Sequence, residues 1–188
     1  RRLSEVTIGI IGIGRIGTGV LQCLQGFGSP KILVNDIIYD KNLDKKFNIE
    51  WSDKETIYQR ADVITIHTPL TAQTKDMIKK EQLLSMKEDA IIINTARGGI
   101  INEQDLYEVM QDGHLSGAAI DVFDFEPYNG KLKEIRRCIL TAHMGSMSVD
   151  CRTRMEIEAT EEAVRFLTNQ SLESVVPEEE YSIQREGL

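Results

Sequence analysis

The chain has 188 residues, 41% hydrophobic and 28% charged, which is typical of a globular domain able to bury one substantial core. Its 22 basic and 30 acidic residues give a net charge of −8, which argues against non-specific binding to nucleic acids or acidic membranes. No apolar run is long enough to span a bilayer, no signal peptide is visible, and three cysteines without metal-ligand spacing favour a reducing compartment, so we expect a cytoplasmic protein without a metal site.

The N-terminal region predicts a strand, a glycine turn, a helix and a second strand. An apolar run from Val6 to Ile11 is followed at once by three glycines at G-x-G-x-x-G spacing, Gly12, Gly14 and Gly17. The next segment has apolar residues at helical spacing, and a second apolar run leads to Asp36, nineteen positions after Gly17. This order is what a dinucleotide site requires.

Each part of this motif has a physical role in binding a dinucleotide. The first glycine permits the tight turn, the second lets backbone N–H groups approach a pyrophosphate, and the third lets helix and strand pack closely. The start of the helix, including Arg15 and Ile16, offers N–H donors and a partial positive charge to the phosphates. Asp36 can accept hydrogen bonds from the adenosine ribose, and its carboxylate repels a 2′-phosphate, so NAD is favoured over NADP. The alternative is a purely structural glycine turn.

Downstream of an irregular segment at residues 37–48, predicted strands and helices alternate. They are a short strand from Asn48 to Trp51, a helix that Ser52 caps in a capping box with Glu55, a strand from Ala61 to His67, a helix from Lys79 to Met86, a strand from Ala90 to Asn94, a helix from Asn102 to Asp112 closed by Gly113, strands from Ala118 to Val122 and Cys138 to Thr141, and a helix from Asp150 to Thr168. This alternation predicts an α/β fold, a Rossmann-type doubly wound and mainly parallel sheet with helices on both faces. We expect it to cover residues 1–170, with residues 171–188 as a tail that is either disordered or leads toward a substrate domain missing from the chain.

Polar side chains collect at the ends of the predicted strands. They are Asp36, His67, residues 94–97, residues 121–126 and His143. Because ligands of doubly wound sheets bind outside the carboxyl ends of the strands, these residues are the candidates for chemistry. One arginine, several acids and two histidines at one edge are more than a sheet needs for folding.

Five motifs in this order resemble the NAD-binding domain of the D-isomer-specific 2-hydroxyacid dehydrogenases. They are residues 12–17, residues 67–71 (His-Thr-Pro-Leu-Thr) with Thr74, residues 94–99 (Asn-Thr-Ala-Arg-Gly-Gly), residues 121–127 (Asp-Val-Phe-Asp-Phe-Glu-Pro) and residues 141–145 (Thr-Ala-His-Met-Gly). The resemblance spans residues 6–166 and, around His143, is greatest to phosphoglycerate-dehydrogenase-type members. It implies NAD as the cofactor and a D-2-hydroxy acid as the substrate, with 3-phosphoglycerate as one candidate.

The resemblance implies Arg97, Glu126 and His143 as the catalytic residues. A guanidinium can hold the carboxylate of a 2-hydroxy acid bidentately and polarise the 2-oxo group. The imidazole titrates in the range needed for the base that removes the hydroxyl proton, and for the matching acid in reduction. Glu126, bonded to the imidazole, would fix its tautomer and favour its protonated form. The alternatives are a surface ion pair for Arg97, a turn acid for Glu126 and a strand-end histidine for His143.

The resemblance also implies cofactor contacts beyond the glycine turn and Asp36. They are Thr68, Pro69 and Thr74 along the groove, Thr95, Ala96 and Asp121 near the nicotinamide, and Arg97, His143 and Gly145. We expect His67 to be structural and His114 to be an exposed turn residue. Ala142 stands where the family usually has proline, so the loop that aims His143 is expected to be less rigid.

The glycine turn lies close to the start of the chain, whereas family members begin with a separate substrate domain. We therefore expect the chain to bind NAD(H) but to turn over 2-hydroxy acids poorly by itself, because hydride transfer depends on excluding water from a closed cleft. The substrate would be held partly by the missing domain, and a homodimer is expected. The alternative function is an NAD(H)-sensing interaction module similar to the corepressors that share this fold, since fold alone does not separate the two.

Overall fold

The computed structural model describes residues 2–176. The chain divides into two compact units, the first ending at Ala142 and the second beginning at His143. The domain boundary expected at residue 170 lies inside the second unit, and the tail toward a further domain stays a prediction. Most of that tail, residues 177–188, lies outside the described residues.

The first unit is built on one sheet whose described strands all run parallel, as the sequence predicted. Seven strands are described, in the spatial order β3-β2-β1-β4-β5-β6-β7. Their bounds are β1 (Thr7–Ile11), β2 (Lys31–Asn35), β3 (Ile49–Trp51), β4 (Val63–Ile66), β5 (Ile91–Asn94), β6 (Gly117–Ile120) and β7 (Cys138–Leu140). The order reverses between β1 and β4, and the crevice at such a reversal is where doubly wound sheets bind ligands.

Two buried clusters, one on each face of the sheet, hold the first unit together. In β1, Ile10 packs in one cluster with Leu21, whereas Ile11 packs in the other with Ile57. Neighbouring residues of a strand point to opposite faces, so this division shows helices on both sides of the sheet. The continuous apolar runs of the central strands follow from burial on both faces.

Six α-helices are described, five of them in the first unit. Their bounds are α1 (Arg15–Leu24), α2 (Lys41–Lys46), α3 (Lys54–Arg60), α4 (Lys80–Ser85), α5 (Glu103–Gln111) and α6 (Val149–Leu167). Asn102 caps α5 as predicted, because its side chain accepts from the backbone N–H of Asp105 at 3.1 Å. Gly113 follows the end of α5 with φ of +85°, a conformation that glycine adopts without strain.

Two local predictions were wrong. Residues 37–48 contain the helix α2, which Asp40 caps by accepting from the N–H of Asn42. Asp53 rather than Ser52 caps α3, accepting from the N–H of Thr56 at 2.7 Å. Ser52 instead continues the sheet pairing, because its N–H donates to the carbonyl of Val34.

The second unit contains the longest described helix, α6, which begins one residue before its predicted start. Ser148 caps it by accepting from the N–H of Cys151 at 3.3 Å. Ion pairs at i,i+4 spacing follow its exposed surface, one of which joins Arg154 to Glu158 at 2.8 Å. In the described part of the chain no helix combines the length and apolar character needed to cross a membrane.

Candidate functional site

The glycine turn connects β1 to α1 at the reversal point of the sheet. Gly12 has φ of +95°, and a Cβ there would lie 2.7 Å from the carbonyl carbon of His67. A Cβ on Gly17 would lie 2.0 Å from the carbonyl oxygen of Gly12, so helix and strand approach as closely as the motif predicts. A Cβ on Gly14 would meet no heavy atom within 4 Å. Two of the glycines are therefore required by packing, whereas Gly14 borders open space.

The first turn of α1 faces that open space. Gly14 is the N-cap residue, and no side chain of the described residues caps the turn. Uncapped N–H groups at the start of a helix attract anions, because the helix dipole adds partial positive charge there. Thr18 stabilises the turn, because its hydroxyl donates to the carbonyl of Ile13 at 3.0 Å. The backbone of Arg15 and Ile16 is thus available to a phosphate.

Asp36 is held in place by two backbone donors. Its Oδ2 accepts from the N–H of Ile13 at 2.6 Å, and its Oδ1 accepts from the N–H of Ile38 at 3.0 Å. The first bond ties the end of β2 directly to the glycine turn. A carboxylate oxygen can accept more than one hydrogen bond, so ribose hydroxyls can still be bound.

The loop after β4 carries a buried hydroxyl that is not satisfied. Thr68 Oγ1 has no hydrogen-bond partner among residues 2–176, although the atom is buried. Thr74 has a structural role in the same loop, because its hydroxyl donates to the carbonyl of Pro69 at 2.6 Å and accepts from the N–H of Thr71 at 2.7 Å. A buried hydroxyl without a partner is costly, so Thr68 is a candidate to bond a ligand group at this edge of the sheet.

His67 and His114 each make a hydrogen-bond contact within the first unit. The His67 ring lies 3.0 Å from the hydroxyl of Thr65, and burial lowers its pKa below the usual value. His114 was expected to be exposed, but its ring is half-buried and lies 3.0 Å from the carbonyl of Met86. This contact joins the turn after α5 to the end of α4.

Asn94 shapes the turn after β5. Its side chain is only 2% exposed, its Oδ1 accepts from the N–H of Ala96 at 3.0 Å, and its Nδ2 donates to the carbonyl of Arg97 at 2.9 Å. The backbone of Thr95 and Ala96 is therefore fixed by one buried amide. Asn94 was predicted to lie at a strand end and in the motif of residues 94–99, but this supporting role was not predicted.

Arg97 projects from this turn as an exposed side chain. Its Nη1 donates to the carbonyl of Ala96 at 2.6 Å, and no carboxylate forms an ion pair with it within the described part of the chain. The guanidinium has further N–H donors in a planar fork that matches a carboxylate. The geometry leaves Arg97 able to take a carboxylate ligand.

The loop after β6 carries the candidate acids Asp121 and Glu126. Asp121 is 9% exposed and accepts from the hydroxyl of Thr141 at 2.5 Å, which joins the ends of β6 and β7. Glu126 is exposed, and its Oε1 accepts from the N–H of Phe123 at 3.1 Å. Each carboxylate is thus held at the carboxyl edge of the sheet.

The turn after β5 and the loop after β6 are in direct backbone contact. A Cβ on Gly98 would lie 2.1 Å from the carbonyl carbon and oxygen of Phe123. Glu103, the first residue of α5, adds a second connection, because its Oε1 accepts from the N–H of Asp124 at 2.8 Å. Arg97 and Glu126 therefore extend from loops that support each other.

His143 is the first residue of the second unit. It is exposed, has φ of +52°, and precedes a short 3-10 turn from Met144 to Ser146. Left-handed backbone is unusual for a non-glycine residue. A Cβ on Gly145 would meet no heavy atom within 4 Å. The role of His143 and Gly145 remains a prediction.

The residues of the first unit fit a dinucleotide. Gly14 borders space that a Cβ would fill, the first turn of α1 is uncapped, and Thr68 presents a buried hydroxyl without a partner. Asp36 adds a fixed carboxylate beside the glycine turn. Among residues 2–176 no group of three His, Cys, Asp or Glu side chains is placed to hold a metal ion.

Comparison with known proteins assigns these features to a family. Residues 1–145 match the model of the D-isomer specific 2-hydroxyacid dehydrogenase NAD-binding domain. A glyoxylate reductase of Korarchaeum cryptofilum is 33% identical over 184 residues, covering 97% of the chain and 55% of the relative. A D-3-phosphoglycerate dehydrogenase of Bacillus subtilis is 37% identical over 161 residues, covering 85% and 30%.

Solved structures agree with this assignment. A D-lactate dehydrogenase of Lactobacillus jensenii, crystallised with NAD+, aligns with a TM-score of 0.84 and 27% identity, covering 94% of the chain and 57% of that structure. The chain thus spans little more than half the length of these relatives, or less. The chain belongs to the D-isomer-specific 2-hydroxyacid dehydrogenase family and carries its NAD-binding domain.

Proposed function

We propose that the chain is the cofactor-binding part of an NAD-dependent oxidoreductase that acts on the CH–OH group of a D-2-hydroxy acid. The observation that supports this most directly is Arg97, an exposed guanidinium without an ion pair in the described residues, on a turn fixed by the buried Asn94. The presence of Arg97 together with Glu126 and His143 favours an enzyme over an NAD(H)-sensing interaction module.

The cofactor is proposed to bind along the edge formed by the glycine turn and the following loops. The N–H groups of Arg15 and Ile16 would hold the pyrophosphate, and Asp36 the adenosine ribose. Thr68 and Asp121 would contact the half of the cofactor nearer the substrate. When bound, NAD(H) supplies the hydride acceptor or donor, so the protein contributes binding and orientation.

The substrate carboxylate is proposed to bind to Arg97 through two parallel hydrogen bonds, which also places positive charge beside the 2-oxo group. His143 would remove the hydroxyl proton in oxidation and return it in reduction. Glu126 would orient the imidazole and favour its protonated form. The roles of His143 and Glu126 are supported by the resemblance of residues 121–127 and 141–145 to the family motifs.

The substrate class follows from the names of the relatives, among which are a glyoxylate reductase, a D-3-phosphoglycerate dehydrogenase and an aromatic 2-oxoacid reductase. All three names point to small 2-oxo or 2-hydroxy acids, and 3-phosphoglycerate stays one candidate. We propose that the whole enzyme is a cytoplasmic homodimer. The chain by itself would bind NAD(H) with little turnover, since the relatives contain residues that it does not cover.

A fluorescence titration with NADH tests the cofactor proposal, with the wild type beside Asp36→Ala. We expect saturable binding by the wild type and a Kd raised at least about tenfold in the variant, since hydrogen bonds to a charged group contribute about 1.5–3 kcal/mol. If neither protein binds NADH saturably, the proposed function is wrong. A robust steady-state rate with 3-phosphoglycerate or D-lactate would contradict the expected lack of turnover.

Slow single-turnover oxidation of bound NADH by a panel of 2-oxo acids tests the role of Arg97. Arg97→Met should reduce the rate constant by roughly 10- to 150-fold at low substrate, because one charge-assisted pair is lost. Arg136→Met removes the same charge from another exposed arginine and should have no effect. A rate constant for Arg97→Met equal to that of the wild type would contradict the role of Arg97.

A further inference from the structure

The segment between β2 and α2 is short, and bonds fix it at both ends. At its start, Asp36 accepts from the N–H of Ile38 at 3.0 Å as well as from the glycine turn. At its end, Asp40 accepts from the N–H of Asn42 at 2.8 Å and so caps α2. Three side chains lie between these anchors, and two of them, Ile37 and Ile38, are 83% and 66% exposed.

A cluster of Tyr39, Asp44 and Trp51, named here the Asp44 cluster, fastens the middle of this segment. Trp51 Nε1 donates to one carboxylate oxygen of Asp44 at 2.5 Å, and the Tyr39 hydroxyl donates to the other. The two rings meet edge to face, with centroids 4.8 Å apart and an angle of 67° between their planes. One carboxylate thus joins the segment, α2 and β3.

The Asp44 cluster lies beside the proposed ribose site. Trp51 is the last residue of β3 and pairs in register with Val34, two positions before Asp36. Asn35 strengthens this junction, because its Nδ2 donates to the carbonyl of Ser52 at 2.8 Å. The exposed isoleucines therefore stand next to Asp36 at the carboxyl edge of the sheet.

We propose that Asp44 is a positioning residue for the adenosine half of the dinucleotide, acting through Tyr39 and Trp51 to hold Ile37 and Ile38 in the conformation that packs against adenine. The inference rests on the proposed function, since it needs a dinucleotide at Asp36. Two isoleucines left exposed beside a ribose acceptor are suited to cover a flat, weakly polar base. A segment already fixed in its bound conformation loses less conformational entropy on binding.

The test is an NADH titration of the whole chain with Asp44→Asn and Tyr39→Phe. Asparagine keeps one acceptor but turns N–H groups toward the second donor, and phenylalanine keeps the ring and removes only the hydroxyl. We expect each to raise the Kd for NADH by about three- to tenfold, the effect of losing one hydrogen bond. The Kd for ADP-ribose, measured by displacement of NADH, should rise by the same factor, because ADP-ribose contains the same adenosine half.

Two controls separate positioning from a general loss of structure. Glu88→Gln removes the same charge from an exposed acid before β5, at the opposite edge of the sheet, and should leave both ligands unaffected. Ile38→Ala should raise the Kd for NADH in the wild-type background. In the background of Asp44→Asn the same change should raise this Kd by a smaller factor. Such non-additivity is expected only if Asp44 acts through the isoleucines.

Several results would overturn the proposal. An unchanged Kd for NADH in both Asp44→Asn and Tyr39→Phe would do so while leaving the dinucleotide site intact. Weaker binding of NADH with unchanged binding of ADP-ribose would place the effect in the nicotinamide half. Additive effects of Asp44→Asn and Ile38→Ala on the Kd for NADH would show that Asp44 does not act through Ile38. Failure of the wild type to bind NADH would refute the proposed function together with this inference.

Discussion

Replacing Gly14 by alanine should weaken NADH binding while the glycine turn stays folded, whereas the same change at Gly17 should destabilise the chain. A Cβ on Gly14 meets no heavy atom within 4 Å, and the backbone angles there, φ −67° and ψ −159°, suit alanine. A Cβ on Gly17 would lie 2.0 Å from the carbonyl oxygen of Gly12, a backbone atom that moves only if the turn moves. Two neighbouring glycines thus separate binding from folding.

The magnitudes follow from these contacts. Alanine at a helix N-cap should lower the free energy of unfolding by about 1 kcal/mol or less for Gly14→Ala. The same methyl group would occupy the space through which a pyrophosphate reaches α1, and crowding of about 1–3 kcal/mol raises the Kd for NADH by roughly 5- to 150-fold. For Gly17→Ala we expect a loss of about 2–3 kcal/mol, which lowers Tm by about 4–12 °C in a chain of this size.

Urea unfolding and an NADH titration, run on the same three variants, test this reasoning. Gly19→Ala is the control, because Gly19 lies inside α1 with no heavy atom within 4 Å of an added Cβ. It should raise the free energy of unfolding by about 0.5–1 kcal/mol and leave the Kd unchanged. If Gly14→Ala binds NADH as tightly as the wild type, the space beside Gly14 is not the phosphate site.

Three further predictions concern residues around the site. Asn94→Ala should lower the free energy of unfolding in urea by about 2–3 kcal/mol, because the N–H of Ala96 and the carbonyl of Arg97 lose their partner; a neutral result would contradict the role of the buried amide. Burial lowers the pKa of His67 below 6.5, so near that pH the unfolded chain binds more protons than the folded chain. The free energy of unfolding should therefore decrease as the pH is lowered from about 7.5 to about 5.5. His67→Gln should flatten this part of the curve, and an unchanged slope would refute the assignment. Burial raises the pKa of the half-buried Cys138 thiol to about 11, so brief labelling by a thiol reagent, read by mass spectrometry, should modify the exposed Cys23 faster than Cys138, whereas equal rates would contradict this difference.

The fold was most predictable in the central strands of the sheet. The strands β1, β4 and β5 lie in the middle of the sheet, so helices on both faces enforce the apolar runs from which they were predicted. The helix α2 was not predicted because only Leu43 of its six residues is buried, which leaves no periodic pattern. Short elements held by caps and tertiary contacts leave little trace in a sequence.

Choices between equivalent residues also escape sequence reasoning. Ser52 and Asp53 are both good N-cap residues, and the sequence favoured Ser52 because Glu55 completes a capping box. In the structure the backbone of Ser52 is occupied by bonds to Val34 and Asn35 at the end of the sheet, so the helix starts one residue later. Sheet pairing between residues distant in sequence therefore determines which of the two residues caps α3.

The candidate site was predictable in its residue types more than in its supports. The glycine turn and Asp36 were found by spacing, since backbone geometry dictates those residues. The support of Arg97 by Asn94, and the contact of Gly98 with Phe123, depend on how two loops fold back on each other. A linear sequence does not show which loop will be the neighbour.

The close approach at Gly98 has a consequence for engineering this domain. Because any side chain at Gly98 would push apart the backbones of residues 98 and 123, the conformations of the two loops depend on each other. A library that varies one loop alone will mostly produce mismatched partners, and grafting from a relative should exchange both loops together. Such a graft must preserve glycine at position 98 and its backbone contact with Phe123.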